Sequence, residues 1–567
     1  MVNSKKIQSI IQLGLLIGIL IAVNIIGNYM YTQVDLTEDK RFTLTQPTVE
    51  LLQNLDEVVY VKILLDGNFP AGFKRLQSSV RELLGDFRSQ SPYIEYGFEN
   101  PSDGTVEEIN ARREELAKDG INPTNLRVKD VDETKELLIY PWAMMTYKGR
   151  SMAVNLLENE IMGMSSEEVL NTSISLLEYK LANAIQKLQI IRKPAIVLLR
   201  GHGELNPYET ADLVEHLRPY YDIGPLNLDT AYRINPEIGV VIVARPRTAF
   251  SEREKFIIDQ YVMNGGRVMW LIDNMGVGLD SLRGRKEFVP LPYDLKLEDQ
   301  FFKYGFRIQP NLVLDFECTR IPLVTGQLGS GNQYDLFPWY YHPLVAPSSD
   351  HPIVKSLDRV NLRFPSTIDT IKTKSNVRKS ILLSSSPRSL VKLSPAARLN
   401  FEMARYDADP QRFNKGPQPL AVMLEGEFPS LYENRVTEGM RAGLDELGES
   451  FKALSSPTKM LVVSDGDLAR NLYNNQQQTV QPLGLNPFER HVFTANKDFL
   501  INAVEYLLDD KGVIEARTKE VKLRLLDTAK AKAEGTKWQL INILLPLLFL
   551  LLFGVAFNFI RRKRFGQ

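Results

Sequence analysis

Residues 194–199 read PAIVLL, an unbroken apolar run that leads directly through Arg200 into the loop Gly201-His202-Gly203-Glu204. Without polar alternation, a run of this length is typical of a strand that is covered on both faces, as in a parallel sheet. It therefore predicts the first strand of an α/β domain whose loops follow the carboxyl ends of its strands.

Strand and helix patterns alternate after this run. Strands are predicted at residues 221–226, 240–243, 268–272 and 460–463, and helices at 208–217, 252–263 and 499–508. This alternation predicts a doubly wound parallel sheet. The Pro-, Gly- and Ser-rich stretch from about residue 279 to 418 is expected to form a β-rich insertion. The whole domain is expected over residues 191–510.

A smaller α/β domain is predicted upstream, at residues 35–160. Its strands are expected near residues 58–65, 94–98, 126–128, 137–140 and 143–147, and its helices include 74–87 and 106–118. A linking helix is predicted at residues 165–190. Ser165 or Ser166 would cap it, because a hydroxyl before Glu167 and Glu168 suits a helix N-terminus.

Polar residues follow several predicted strands of the larger sheet. In open α/β sheets, ligands bind beyond the carboxyl ends of the strands. The candidate ligand-binding edge consists of Gly201, His202, Gly203, Glu204, Asp273, Asn274, Asp465 and Asp467. A structural interpretation is favoured over a functional one: the glycines permit tight turns, while His202 and Glu204 bond to loop backbone and the next helix N-terminus.

Sequence motifs for catalysis and for cofactor or metal binding are missing. The chain contains no phosphate-binding loop, His-Glu-x-x-His, Cys-x-x-Cys or Gly-x-Ser-x-Gly. We therefore predict no catalytic, cofactor-binding or metal-binding residue and expect any ATPase to be supplied by a partner. Cys318 is the single cysteine, so an internal disulfide is impossible. The 68 basic and 69 acidic residues nearly cancel, which gives no reason to expect a nucleic acid partner.

Each end of the chain carries an apolar segment long enough to cross a bilayer, over residues 10–30 and 538–560. Basic residues lie between each apolar segment and the nearer terminus of the chain: Lys5, Lys6, Arg561, Arg562, Lys563 and Arg564. The positive-inside tendency then places residues 1–9 and 561–567 in the cytoplasm and the bulk of the chain on the other side. Residues 511–537 are expected to form a helical tether, with a flexible linker almost as well supported. A cleaved signal peptide is the alternative for the first segment.

Several stretches, in this order, resemble the GldG family of gliding-motility-associated ABC transporter auxiliary proteins, which are often labelled substrate-binding. They are DLTEDKRFTLT after the first apolar segment, LLRGHGEL, ARPRTAFSEREKFIIDQYVMNGGRVMWLID and VVSDGD, followed by the C-terminal apolar segment. The resemblance implies a bacterial inner-membrane protein with a large periplasmic part, working with a membrane permease and a cytoplasmic ABC ATPase in gliding motility and the associated secretion. It also implies a middle domain similar to the class I glutamine amidotransferase fold.

The leading expectation is a non-catalytic periplasmic subunit of an ABC-type complex. A periplasmic module that binds a small ligand or glycan is the alternative, and an amidotransferase-like or metal-dependent enzyme is the third. Cysteine catalysis is disfavoured because the residues around Cys318 lack the glycines of a strand-to-helix nucleophile turn.

Overall fold

A computed structural model describes residues 11, 13–22, 43–129, 134–158, 164–328, 331–373, 375–405, 409–446, 448–474, 476–519 and 528–565. The chain divides into two compact units, Met1–Lys519 and Glu520–Gln567. The first contains mixed α/β structure, as the alternating pattern predicts.

The N-terminal part of the first unit is built on a four-stranded sheet with the order β2-β1-β5-β6. Its elements are α1 (Gln46–Gln53), β1 (Val59–Ile63), α2 (Ala71–Gln90), β2 (Ile94–Phe98), α3 (Val106–Lys118), β3 (Thr124–Lys129), β4 (Thr134–Ile139), β5 (Trp142–Tyr147) and β6 (Arg150–Asn155). Strands β1 and β2 are parallel and joined through α2, while β5 runs antiparallel to β1. Strands β3 and β4 pair as a separate hairpin.

Helix α4 (Ser166–Gln189) follows, and it is part of the N-terminal core as well as a link. Ser165 caps it as expected: its side chain accepts a hydrogen bond from the Glu168 backbone N–H at 3.3 Å, and the Glu168 carboxylate accepts one from the Ser165 backbone at 2.7 Å. Leu177 and Leu181 of α4 pack in the same apolar cluster as Val61 of β1. The helix therefore covers the smaller sheet.

A seven-stranded sheet forms the centre of the first unit, with the order β17-β19-β20-β10-β9-β7-β8. Its strands are β7 (Ala195–Arg200), β8 (Asp222–Asn227), β9 (Ile238–Ala244), β10 (Arg267–Leu271), β17 (Val377–Ser384), β19 (Pro419–Gly426) and β20 (Thr458–Val463). Strands β8, β7, β9, β10 and β20 are parallel. The chain order reverses at β7, which leaves a crevice position at the carboxyl ends of β7 and β9.

Both faces of this sheet are covered, as the apolar run at residues 194–199 predicts. Alternate residues of one strand enter different clusters: Ile196 and Leu198 pack on one face, and Val197 and Leu199 on the other. The first face is covered by α5 (Ala211–Leu217) and α10 (Thr494–Leu508), and the second by α6 (Glu252–Met263) and α7 (Glu298–Tyr304).

The prediction of a parallel sheet is correct only in part, because the sheet also contains antiparallel strands. Strand β19 pairs antiparallel with β20, and β17 pairs antiparallel with β19 at the outer edge. Strand β17 lies inside the stretch expected to be an insertion. That stretch thus supplies one strand of the central sheet.

The rest of the same stretch forms small sheets, several of which pack around a cluster of buried aromatic residues that includes Trp339 and Tyr341. Its strands and helix are β11 (Phe306–Ile308), β12 (Asn311–Asp315), β13 (Cys318–Leu328), β14 (Gly331–Val345), β15 (Val360–Asn361), β16 (Ile368–Thr370), β18 (Ser389–Leu393) and α8 (Glu402–Arg405). The remaining elements are α9 (Glu438–Glu446), β21 (Tyr473–Asn474), β22 (Thr479–Val480), β23 (Leu485–Asn486), β24 (His491–Val492) and short 3-10 helices, of which Val513–Thr518 ends the first unit.

The second unit is one long helix, α11 (Thr528–Phe565). Within it, residues Glu534–Lys563 form the one helix, among the residues that the structure describes, whose length and apolar composition suit a membrane span. None of its most apolar window is buried against protein. Near the other end of the chain, Leu13–Ala22 form a shorter apolar helix. The remainder of the predicted segment at residues 10–30 lies outside the described residues, apart from Ile11.

Candidate functional site

The Gly-His-Gly-Glu loop follows β7 and places His202 between two carboxylates. His202 Nδ1 lies 3.2 Å from Glu204 Oε1, and Nε2 lies 3.1 Å from Glu254 Oε1. The imidazole stacks on the Phe250 ring with 3.8 Å between ring centroids. Two carboxylate acceptors require a donor on each ring nitrogen, which only the protonated imidazole provides.

The electrostatics agree with this geometry. Burial favours the neutral imidazole, but hydrogen bonds and charges from Glu204 and Glu254 outweigh it and raise the pKa of His202 above its ordinary 6.5. His202 and Glu254 are each 6 % exposed and Glu204 is 1 % exposed. The three side chains thus form a buried, charged triad with no open face toward solvent.

Glu254 is in the triad because of how α6 begins. Ser251 caps this helix, and Glu254 Oε2 accepts hydrogen bonds at 2.7 Å from both the Ser251 backbone N–H and its hydroxyl. The other oxygen remains for His202, whose backbone carbonyl in turn accepts from the amides of Arg247 and Thr248. The structural interpretation expects the loop to bond to the N-terminus of the next helix along the chain, which is α5. The structure instead fastens the loop to the N-terminus of α6.

A second polar cluster lies at the carboxyl ends of β10 and β20. Asp273 accepts a hydrogen bond from the Gly466 amide at 2.6 Å. Asp465 accepts one from the Arg363 amide at 2.7 Å and another from the Asp467 amide at 2.8 Å. The Asp467 side chain accepts a hydrogen bond from Arg245. All three aspartates therefore form hydrogen bonds at the strand edge where the sequence predicts them.

Arginines compensate these carboxylates unequally. Burial and the charge of Asp467 raise the pKa of Asp273 to about 7. Burial, with the charges of Asp273 and Asp467, raises the pKa of Asp465 well above its usual range. For Asp467, burial is outweighed by Arg245, Arg363 and the further arginine Arg470, which lower its pKa. Burial and mutual repulsion thus favour the protonated forms of Asp273 and Asp465 more than in exposed carboxyls.

Arg245 holds a strained position in this cluster. It follows β9 with a backbone φ of 59°, and its side chain is buried between Asp467 and Glu209, whose nearest oxygen lies 3.6 Å from Arg245 Nη2. Gly466 packs against it: a Cβ at Gly466 would lie 2.7 Å from Arg245 Cβ. The strand-end rule that selects Asp273 and Asp465 applies equally to Arg245, and it would have found this residue.

His342 lies near this cluster but was not predicted from the sequence, whereas Asn274 was predicted and bonds elsewhere. His342 of β14 is wholly buried, and burial and Arg363 lower its pKa to about 3. It comes from a different part of the chain, so no local signal places it there. Asn274 donates a hydrogen bond to the Ile308 carbonyl at 3.2 Å. The two groups, around His202 and around Asp273, are neighbours through Arg247, which lies against Gly203 and acts electrostatically on Asp273.

Chemistry at this edge is limited by the way its groups are engaged. Among the residues that the structure describes, no group of three or more His, Cys, Asp or Glu is arranged to hold a metal ion. Cys318 begins β13 and does not sit on a strand-to-helix turn. Burial, followed by the charge of Asp315, raises its thiol pKa to about 12, so the thiolate needed for nucleophilic attack is scarce.

An open cleft of about 270 Å³ lies elsewhere, at the amino ends of β9 and β10 and beside α6. Tyr232, Phe256 and Leu444 give it apolar walls. Arg233 and Glu449 both line it and pair at 2.6 Å. This cleft was not predicted from the sequence, because its wall at Leu444 and Glu449 comes from a segment about 180 residues away from the rest of its lining.

Comparison with known proteins identifies the family. Residues 193–503 match the family model described as an ABC-type uncharacterized transport system, with an auxiliary role in ABC transport, and the chain belongs to this family. Residues 38–146 match a domain of unknown function. An uncharacterized protein of Borreliella burgdorferi is 20 % identical over 544 residues, which cover 94 % of each chain.

Solved structures give only weak likenesses. The mmIFT52 N-terminal domain is 13 % identical with a TM-score of 0.30, over 55 % of this chain and 97 % of that one. A thua-like protein from Parabacteroides merdae is 11 % identical with a TM-score of 0.26, over 59 % and 94 %. Scores this low carry no argument about the fold.

The close approach at Gly466 leads to a stability prediction. Gly466→Ala should destabilise the chain by about 1–3 kcal/mol, because the new methyl group would displace Arg245 from Asp467. Gly443→Ala is the matched control: it lies in α9 with nothing within 4 Å of its added Cβ. Melting of the full chain in detergent measures both variants. Equal melting midpoints for Gly466→Ala and wild type would contradict the packing described.

The His202 triad leads to a pH prediction. Because the folded-state pKa is raised, its contribution to stability is complete below pH 6.5 and is lost as the pH rises through the folded-state value. The melting-midpoint difference between wild type and His202→Gln should therefore shrink from acid to alkaline pH. Phe250→Leu removes the stacking and keeps the charges, so it should retain the pH dependence. A His202→Gln difference that is constant with pH would mean a neutral imidazole.

Proposed function

We propose that the chain is a non-catalytic subunit of an ABC-type transport complex in a bacterial inner membrane, associated with a membrane permease and a cytoplasmic ABC ATPase. The observation that carries the proposal is the family match over residues 193–503, which favours an accessory role in transport. Helix α11 supports the membrane assignment, because its apolar window is uncovered by protein and basic residues follow it.

In this proposal the folded part lies in the periplasm and both termini lie in the cytoplasm. The two periplasmic domains occupy residues 35–160 and 191–510, and the spans occupy residues 10–30 and 538–560. The 511–537 tether divides: residues Val513–Thr518 pack in the first unit, whereas α11 starts at Thr528 and continues without a break into the apolar window. A continuous helix can pass axial movement on from the membrane. ATP-driven motion in the complex would thus change how the body contacts its envelope partner or cargo.

A role in gliding motility and the associated secretion is the narrower form of the proposal. Its support is the GldG-like order of motifs, and the same resemblance underlies the amidotransferase-like fold proposed for the middle domain. An amidotransferase activity is disfavoured by the scarcity of Cys318 thiolate. A metal-dependent activity is disfavoured because, among the described residues, no group of three or more His, Cys, Asp or Glu could hold a metal ion.

Binding of a small ligand or glycan is the second candidate. The strand edge around His202 and Asp465 offers it little, since those side chains are buried and bonded to one another or to backbone. The specific observation in its favour is the cleft beside α6, where Tyr232 and Phe256 could stack on an apolar or sugar-ring surface.

Co-purification tests the leading proposal. The full chain, tagged and extracted in mild detergent from its own cells, should bring down one permease and one ATPase in stoichiometric amounts. Gly443→Ala, a substitution in open space, should bring down the same proteins. Recovery of the chain without either companion would contradict the proposal. If, in addition, a glycan or peptide raised the melting midpoint of the isolated chain, the ligand-binding candidate would be favoured instead.

A further inference from the structure

The segment that begins at Thr43 and the last described segment of the first unit lie side by side. One contains Thr43–Thr45 and helix α1, and the other runs from Gly512 through the 3-10 helix Val513–Thr518 to Lys519. A Cβ at Gly512 would lie 3.5 Å from Pro47 Cγ. Val513 packs in the apolar cluster of the smaller sheet, together with Leu52 of α1. Residues 43–52 and 512–519 are therefore neighbours in the first unit.

Glu178 of α4 binds both segments. Its Oε1 accepts hydrogen bonds from the Thr45 backbone N–H at 2.7 Å and the Thr45 hydroxyl at 2.8 Å. Its Oε2 pairs with Lys519 Nζ, which also donates to the Thr43 carbonyl. One oxygen thus serves the entering segment and the other serves the leaving segment.

Burial makes these contacts consequential. Glu178 is 5 % exposed, and a buried carboxylate that loses its partner is strongly destabilising. The surroundings are already acidic, since Asp86 of α2 has its pKa raised by burial and by the charges of Glu82 and Glu178, against the lowering charge of Lys519. Lys519 thus compensates more than one carboxylate at this position.

The next residue along α4 continues the connection. Tyr179 donates its hydroxyl hydrogen bond to Glu505 of α10, and Lys187 of α4 pairs with the same carboxylate at 2.5 Å. Helix α10 in turn packs on the central sheet, where Phe499 lies in the same cluster as Ile242. Helix α4 therefore joins the segments at Glu178 to the central sheet.

We infer that Glu178 acts as a clasp: it binds Thr45 to Lys519 and so holds together the two chain segments that lead to the predicted membrane spans. The first unit is then held at one point. The inference rests on the proposed two-span arrangement for its meaning. With the clasp closed, movement of either span reaches α4, and through it the central sheet, without pulling the body apart. Separation of the two segments requires loss of the contacts from Glu178 to Thr45 and Lys519.

Hydrogen exchange of the full chain in nanodiscs tests the clasp. In Glu178→Ala, the amides of residues 43–53 and 512–519 should both exchange several-fold faster, while those of β9 and β10 keep wild-type rates. Glu178→Gln keeps an acceptor for Thr45 and removes the charge that holds Lys519. Its faster exchange should be confined to residues 512–519, and this milder variant serves if Glu178→Ala fails to fold.

Glu167→Gln is the matched control, because Glu167 is on the same helix and its pair with Arg75, at 3.4 Å, is solvent-exposed. It should leave exchange in both segments unchanged. Wild-type rates in both segments of Glu178→Ala, acceleration of only one, or equal acceleration in Glu167→Gln would overturn the clasp. These rates do not depend on transporter companions, so a failed co-purification and a failed clasp are separate results.

Discussion

An apolar helix that none of the described residues covers is the constraint on which the rest of the account depends. In α11, Leu550 is 67 % exposed and Phe553 is 70 % exposed, and their neighbours are similarly uncovered. Burial of each such side chain stabilises by about 1.5–3 kcal/mol. A bilayer would supply that burial for about 20 apolar residues within the segment Glu534–Lys563. Membership of an ABC-type transport family is compatible with such a membrane location.

The folded unit is organised to match such an attachment. Thr45 and Lys519 meet at Glu178, and α4 carries the connection from there to α10 and the central sheet. The strand edge where α/β proteins often bind ligands is occupied by internal charge networks around His202 and Asp465. Those networks fix loops in place, as a rigid accessory subunit requires. The polar groups described at this strand edge are therefore mainly structural.

Local signals account for what the sequence predicted well. The apolar run of β7 and the Ser165 cap of α4 depend on neighbouring residues, so pattern was sufficient for both. The antiparallel pairing of β17 and β19 depends on long-range partners, and pattern missed it. The aspartates of the strand edge were expected from their positions after β10 and β20. Glu254 and Glu178 were not, because each gains its role only when a distant segment packs against its helix.

The most direct test of the account is to determine on which side of the membrane the first unit lies. In a Cys318→Ser chain, a cysteine replaces Tyr232, which is 78 % exposed on the folded unit, or Gln567 at the C-terminus. Spheroplasts are then treated with a membrane-impermeant maleimide. The account predicts labelling of Tyr232→Cys in intact spheroplasts and of Gln567→Cys only after permeabilisation. Labelling of Tyr232→Cys only after permeabilisation would contradict it.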